Sequence, residues 1–417
     1  MFGLVDATSF YASAEKVFDP SIRAKPVVVL TNNDGCICAA CPIAKKLGIP
    51  KFQPYFKMKH YLAQHNVVIR SSNYELYADL SERMMSVIER YSDNSHVYSI
   101  DESFLHFKNF AYIDDWKAYG HMIRKAVWRE TRLPVGVGFG VTPTLAKAAN
   151  HASKKLEGFD GSAIINDERS QKDILSRMAL DEVWGIGARL SKHLASMGIA
   201  NAYELSKQDP KYIRQQFGVT VERTVKELNG IACLNWDDVK KNKKEIFSTR
   251  SFGQRITEIE ELSKALSTHA DIVARKVRKQ QSLVKKLMIF ASSSPHDDRY
   301  YKQSYLYEFP VATDNTQQLS AAISSVINEL YVPGVLFYRC GVGAIELESS
   351  IFQQPDLFAP NLNNPELMSC YDKINQRYGA GMVKLASQGT SEKWQMNRNF
   401  LSPSYTTKWQ DIPKIKC

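Results

Sequence analysis

Two rhythms of apolar and polar residues alternate along the first part of this chain. Compact apolar runs read as buried strands: Gly3 to Asp6, Pro26 to Leu30, Val97 to Ile100, and Pro134 to Val141, whose alternating Val and Gly imply close packing. Between them lie stretches of helical period. Ser9 to Phe18 puts Phe10, Ala14 and Phe18 on one side, and Cys41 to Leu47 is a short helix stopped by Gly48 and Pro50. Longer helices run from about Leu76 to Tyr91 and Trp116 to Thr131. Asn32-Asn33-Asp34-Gly35 is a turn. Thr142-Pro143 supplies an N-cap and a first-turn proline for a helix through about Lys155. The pattern predicts a mixed α/β core.

From about residue 168 the elements shorten. Val183-Trp184-Gly185-Ile186-Gly187, followed by Leu190, Leu194, Met197 and Gly198-Ile199, has the form of a helix-hairpin-helix. Amides at Gly185 and Gly187 can then face a phosphate; the alternative is a glycine turn between two packed helices. Asp237 to Ile246 is a lysine-rich tether. Beyond it, Leu262, Leu266, Ala270, Val273 and Val277 form one helical stripe, with Arg275, Lys276, Arg278 and Lys279 largely off it. Strand-like runs at Leu283 to Ala291, Tyr305 to Phe309 and Gly334 to Ile345 complete an α+β module. After Glu348 loop formers dominate around Leu357 and Phe358, two apolar side chains suited to anchor in a partner's pocket. The stretch to Cys417 is polar and partly helical.

Length changes the picture first: 417 residues, at roughly 150 residues per domain, predict about three domains. A formal net charge of +10 points to a polyanionic partner, nucleic acid before acidic membrane. Lys243, Lys244, Arg275 and Arg278 are the candidate phosphate contacts. No run approaches the roughly 20 apolar residues of a membrane span, and no signal sequence opens the chain, so a cytoplasmic location without membrane partners is expected. Seven cysteines make reduced thiols the default. Cys36, Cys38 and Cys41 invite a metal reading, but a well-spaced fourth ligand is missing nearby.

The chemistry is carried by carboxylates. Asp6 and the pair Asp101 and Glu102 each follow an apolar run, where desolvation of a charge is costly and a cation should compensate. Oxygen ligands suit a hard cation such as Mg2+, and three carboxylates fit a two-metal site for phosphoryl transfer. Adjacent residues on a regular strand point to opposite faces, so Asp101 and Glu102 can share a site only if the chain turns there. The alternative is a pair of exposed hairpin charges.

Val5-Asp6 with Ser9-Phe10-Tyr11-Ala12-Ser13, Lys25 to Val29, Ser72-Asn73-Tyr74-Glu75-Leu76-Tyr77, Ser99-Ile100-Asp101-Glu102-Ser103 and Val135 to Gly138 together resemble the Y-family translesion DNA polymerases, and Leu401 to Thr407 resembles the end segment of one subfamily. The resemblance spans nearly the whole chain. It implies an α+β multidomain, right-hand polymerase: an α/β palm (1–20 and 76–167), small fingers (21–75), a helix-hairpin-helix thumb (168–236), a basic linker (237–245) and an α+β little finger (246–348). A linker (349–364) and a C-terminal segment (365–417) follow.

It further implies two Mg2+ ions held by Asp6, the Ala7 carbonyl, Asp101 and Glu102, with the three carboxylates catalytic. Tyr11 is implied as the steric gate against ribonucleotides. Lys45 and Lys154 fall where the family places cations on the triphosphate, and Lys147 shares a helix face with Lys154. The family commonly has tyrosine where Pro42 stands, arginine where Lys45 stands, and an aromatic where Ala7 stands; lysine keeps the charge without the bidentate fork. Gln354, Leu357 and Phe358 resemble a sliding-clamp-binding peptide. The implied activity is error-prone, template-directed DNA synthesis past damage in an SOS response, on primer-template DNA and dNTPs, with a UmuD' homodimer, RecA and the sliding clamp as partners. A non-catalytic DNA-binding scaffold and another metal-dependent phosphoryl-transfer enzyme are the rival classes; no G-x-x-x-x-G-K-[ST] loop supports a P-loop ATPase.

Overall fold

Eight short strands punctuate the first part of the chain: β1 (Phe2–Ala7), β2 (Val27–Leu30), β3 (Ile37–Ala40), β4 (Val68–Ser71), β5 (Asn94–Val97), β6 (Glu102–His106), β7 (Val135–Gly140) and β8 (Ser162–Ile165). The computed structural model describes residues 1–108, 113–234, 242–351, 364–390 and 394–413. They divide into two units, one of residues 1–240 with 398–417, the other of residues 241–397.

In the first unit a five-stranded sheet has the order β5-β6-β1-β7-β8. The Val-Gly alternation of β7 explains its place. Val137 and Phe139 are fully buried in the same core as Ile123 and Val127 of the helix Trp116–Thr131. The glycines face the helix Pro143–Lys155, which lies so close that a Cβ at Gly138 would sit 2.0 Å from the backbone nitrogen of Asn150. Asn150 fastens that helix to the sheet, its amide donating to the carbonyls of Leu4 (3.2 Å) and Gly136 (2.8 Å). Thr142 caps the helix as expected, through the Leu145 amide.

One sequence expectation is corrected. Val97 to Ile100 is not a buried strand: β5 ends at Val97, and residues 98–101 bend into β6. The physical reason is that β5 is an edge strand, leaving Val97 and Tyr98 exposed.

Beside this sheet is a three-stranded one, order β3-β2-β4, in which β2 is wholly buried. Short helices from Glu168 to Leu228 pack into a separate core that shares Leu145 and Ala149 of the helix Pro143–Lys155. Glu227 ties them together: one carboxylate oxygen accepts from the amide (3.1 Å) and hydroxyl (2.8 Å) of Thr144, the other from the amides of Cys233 and Leu234. Residues 398–413 return to this unit.

The second unit contains β9 (Ile246–Ile256), β10 (Ser282–Ser292), β11 (Lys302–Thr313) and β12 (Phe337–Ser349), an antiparallel sheet of order β11-β10-β12-β9. Helices Ile259–Lys279 and Thr316–Leu330 share its core, and the stripe Leu262, Leu266, Ala270, Val273 and Val277 is fully buried. The helix Pro365–Tyr378 is attached through Arg278, and Trp394 is buried beside Phe252 and His269. No helix of the described residues is long and apolar enough to cross a membrane.

Candidate nucleotidyl-transfer site

Sheet register builds the site. Asp6 on β1 lies directly opposite Glu102 on β6, so both side chains leave the same face. Asp101 occupies the bend just before β6, and that bend meets the geometric demand: Asp6, Asp101 and Glu102 all line one cavity of about 670 Å³. Ala7, Tyr11, Lys45, Lys147 and Lys154 line it too. The Ala7 amide donates to the Asp101 carbonyl at 2.8 Å, fastening the bend to β1, while Ser99 donates to the Asp101 carboxylate at 2.6 Å.

Two lysines from the helix Pro143–Lys155 meet two of the carboxylates. Lys154 is 2.8 Å from Asp6, and Lys147 reaches both oxygens of Glu102 at 3.1 Å. Gly136 makes the first contact possible: a Cβ there would fall 2.5 Å from Cγ of Lys154. Lys147 also lies near the rings of Tyr98 (4.9 Å) and Trp184 (5.0 Å), which meet each other edge-to-face, so it makes two cation-π contacts. Burial raises the Glu102 carboxyl above its ordinary range; Lys147 opposes this, whereas Asp6 and Asp101 add to it as like charges. Lys45 donates to Ser9 Oγ at 2.8 Å, and its ammonium is pushed below its usual value by burial and then by Lys51, Lys154 and Lys155. Three carboxylates thus face a crowd of cations.

Among the described residues no three His, Cys, Asp or Glu side chains are grouped so as to hold a metal ion, the Cys36, Cys38 and Cys41 trio included. At Asp6 and Glu102 the reason is visible, since lysines hold their oxygens. The donor set itself is all oxygen and mutually repulsive, which suits a hard divalent cation in exchange for those lysines.

Tyr11 stands at the cavity with its ring stacked on Tyr77, centroids 4.5 Å apart and planes at 16°. Gly185 has φ 87°, a left-handed conformation that favours glycine, and Gly187 caps the helix Ala188–Ser196. The element before this turn is a single 3-10 turn, Leu180–Glu182. Lys243 and Lys244 are exposed, and Arg275 is 3.9 Å from Asp271. Arg278 corrects a sequence expectation. Its guanidinium grips both oxygens of Asp372 (2.7 and 2.8 Å), the Asp314 carbonyl and the Thr316 hydroxyl, so it is spent inside its unit rather than offered to DNA. Gln354, Leu357 and Phe358 lie outside the described residues.

Sequence reasoning missed Trp184, His151 and Glu182 as cavity residues, and Tyr98 as a ring beside Lys147. Glu182 holds His151 at 2.7 Å and also Lys155, steering the far end of the lysine-bearing helix. His151 had one legible signal, its position four residues from Lys147 on the same helix face.

Comparison with known proteins shows the family. Residues 5–151 match the impB/mucB/samB family, residues 243–357 its C-terminal domain, and residues 365–415 a domain of unknown function. The chain is 38% identical to Protein UmuC of Salmonella typhimurium over 422 residues, covering all of both, and 36% identical to Protein MucB of Escherichia coli over 99% of each. A solved Y-family DNA polymerase chimera built on Dbh shares its fold, with TM-score 0.65, 20% identity, and 82% of this chain against 98% of that one. The chain belongs to the impB/mucB/samB family of Y-family DNA polymerases, with the right-hand polymerase fold, and is a UmuC-like, DNA-directed translesion polymerase of SOS mutagenesis.

Proposed function

We propose that the carboxylate cavity is where nucleotidyl transfer takes place, with Asp6, Asp101, Glu102 and the Ala7 carbonyl holding two Mg2+ ions. The observation that carries this is the register pairing of Asp6 with Glu102, joined by Asp101 from the adjacent bend on one cavity wall. When bound, such ions would activate the primer hydroxyl and neutralise charge on the leaving phosphates. The chain's own part is positioning. Lys45, Lys154 and Lys147 offer their ammonium groups to the triphosphate, two of them by leaving the carboxylates they now hold. Tyr11 turns its ring toward the sugar, where a ribose 2'-hydroxyl would collide with it.

The palm is assigned to residues 1–20 and 76–167, the fingers to 21–75, the thumb to 168–236, the little finger to 246–348 and the C-terminal segment to 365–417. Fingers built on a three-stranded sheet leave few contacts to the nascent base pair, which supports low fidelity and acceptance of damaged templates. Gly185 and Gly187 amides, Lys243, Lys244 and Arg275 would track DNA phosphates. A UmuD' homodimer, RecA and the sliding clamp are the proposed partners, the clamp through Gln354, Leu357 and Phe358, in the cytoplasm. Unaltered clamp binding after Leu357→Ala with Phe358→Ala would remove that peptide as the anchor. Primer extension across an abasic template with these partners and Mg2+ tests the whole: the wild type should extend, and equal extension by Asp101→Ala would sink the catalytic assignment.

A further inference from the structure

We infer that the terminal segment, residues 398–405, holds the Tyr11 ring in its selecting position by acting through Glu15 and Tyr77. This rests on the reading of Tyr11 as the sugar gate. The ring of Tyr11 has the fully buried Tyr77 as its stacking support. The Tyr77 hydroxyl donates to Glu15 Oε1 at 2.6 Å, and the same oxygen accepts from the Ser402 hydroxyl at 3.2 Å. Glu15 lies one turn beyond Tyr11 on the helix Phe10–Val17 and is 1% exposed, with Arg70 Nε 3.7 Å from its other oxygen.

The segment also fixes the backbone that carries Tyr77. Asn73 caps the helix Tyr74–Ile88 through the Leu76 amide, and its side-chain nitrogen donates to the carbonyl (3.3 Å) and hydroxyl (3.0 Å) of Ser402. Phe400 exchanges hydrogen bonds with Ser71 at the end of β4: its amide donates to Ser71 Oγ at 2.9 Å, and the Ser71 amide donates to its carbonyl at 3.0 Å. The Asn399 amide donates to the buried Asp34, and Tyr405 stacks on Phe18, just past the end of the Tyr11 helix. These partners come from the Tyr11 helix, the Tyr77 helix and the three-stranded sheet, so the segment joins the elements whose relative placement fixes the gate. A steric gate works by repulsion over fractions of an ångström. A ring whose support can tilt would lose discrimination before it lost synthesis.

The family match to a domain of unknown function ends at residue 415 and so includes this segment. The end of that domain thereby acquires a role in sugar selection, with Glu15 and Ser402 as positioning residues. Burial raises the Glu15 carboxyl above its ordinary range, and a glutamine there keeps an oxygen that can accept from Tyr77 and Ser402.

The test measures kcat/KM for a dNTP and for the matching rNTP in the full-length chain with its partners on undamaged primer-template. Tyr11→Ala is the control for the gate. Tyr77→Phe, Ser402→Ala and Glu15→Leu should each raise relative rNTP use roughly tenfold, the scale of one lost buried hydrogen bond, with dNTP use little changed. Glu15→Gln should restore discrimination. If Tyr11→Ala leaves the ratio unaltered, the gate reading falls and this inference with it. If Tyr11→Ala collapses the ratio while Tyr77→Phe and Ser402→Ala preserve it, the inference alone is overturned. Tyr77→Phe keeps the buried ring, so the test does not depend on the harsher Glu15→Leu folding. A purely structural role would lower dNTP and rNTP use together, and that result also overturns it.

Discussion

Adding one methyl group at Gly136 should disarm Lys154 without unfolding the protein. The three atoms nearest a Cβ there all belong to side chains: Lys154 Cγ at 2.5 Å, Lys154 Cδ at 2.8 Å and Ser153 Oγ at 2.8 Å. A lysine stem swings aside at small cost, but its ammonium then leaves the place 2.8 Å from Asp6 from which it would meet the triphosphate. Loss of one charge-assisted contact costs ~1.5–3 kcal/mol, which is about 10–100-fold in kcat/KM. Gly138→Ala is the contrast, because its Cβ would press on backbone at Asn150 (2.0 Å) and Ala146 (2.5 Å), where nothing can swing. Overpacking of that kind costs about 1–3 kcal/mol or more. Single-nucleotide incorporation and thermal unfolding, measured on both variants, separate the two effects. Gly136→Ala should raise KM for the dNTP with Tm nearly unchanged, and Gly138→Ala should lower Tm. A folded Gly136→Ala protein with wild-type KM, or equal Tm losses in the two variants, would refute the reasoning.

Other expectations concern the second unit. Burial, then the nearby charges of Arg250 and Lys276, lowers His269 to about 4, while its unfolded value is near 6.5. The unfolded chain therefore takes up the proton first as pH falls, and stability present above pH 6.5 is lost down to about pH 4, by up to ~3 kcal/mol. Urea unfolding across that window should show the loss, and His269→Gln should flatten it. Arg278→Ala should destabilise this unit by ~2–4 kcal/mol, since Asp372 loses a two-pronged partner, yet leave the salt dependence of DNA binding unchanged. Lys243→Ala with Lys244→Ala should instead reduce the slope of log K against log salt by about two.

The elements easiest to read were those whose local pattern and packing agree. Trp116 to Thr131 has a helical stripe and forms a helix with those limits, and the Val-Gly run announced the close approach on β7. The helix Tyr55–Gln64 escaped because two lysines and a histidine interrupt its apolar residues and it buries only Leu62, and the edge strand β5 misled because its neighbouring apolar residues remain exposed. At the site, Asp6, Asp101 and Glu102 carried a local signal in the apolar runs beside them. The contacts of Lys147 with Tyr98 and Trp184 carried none, nor did the bond from Ser402 to Glu15, because each joins residues that only the folded chain brings together. Arg278 misled for a related reason: helical period shows which residues leave the apolar stripe, but not that Asp372 waits for one of them.

The most direct measurement is single-turnover incorporation of one dNTP, with divalent metal titrated, by wild type, Asp6→Asn and Glu102→Gln, each with its affinity for primer-template determined separately. If these carboxylates hold the metals of the reaction, both variants keep DNA affinity and lose rate by roughly 10³-fold or more, the scale of losing a group that stabilises transition-state charge. Rates within tenfold of wild type at the same metal concentration would contradict the assignment and place the chemistry elsewhere in the chain.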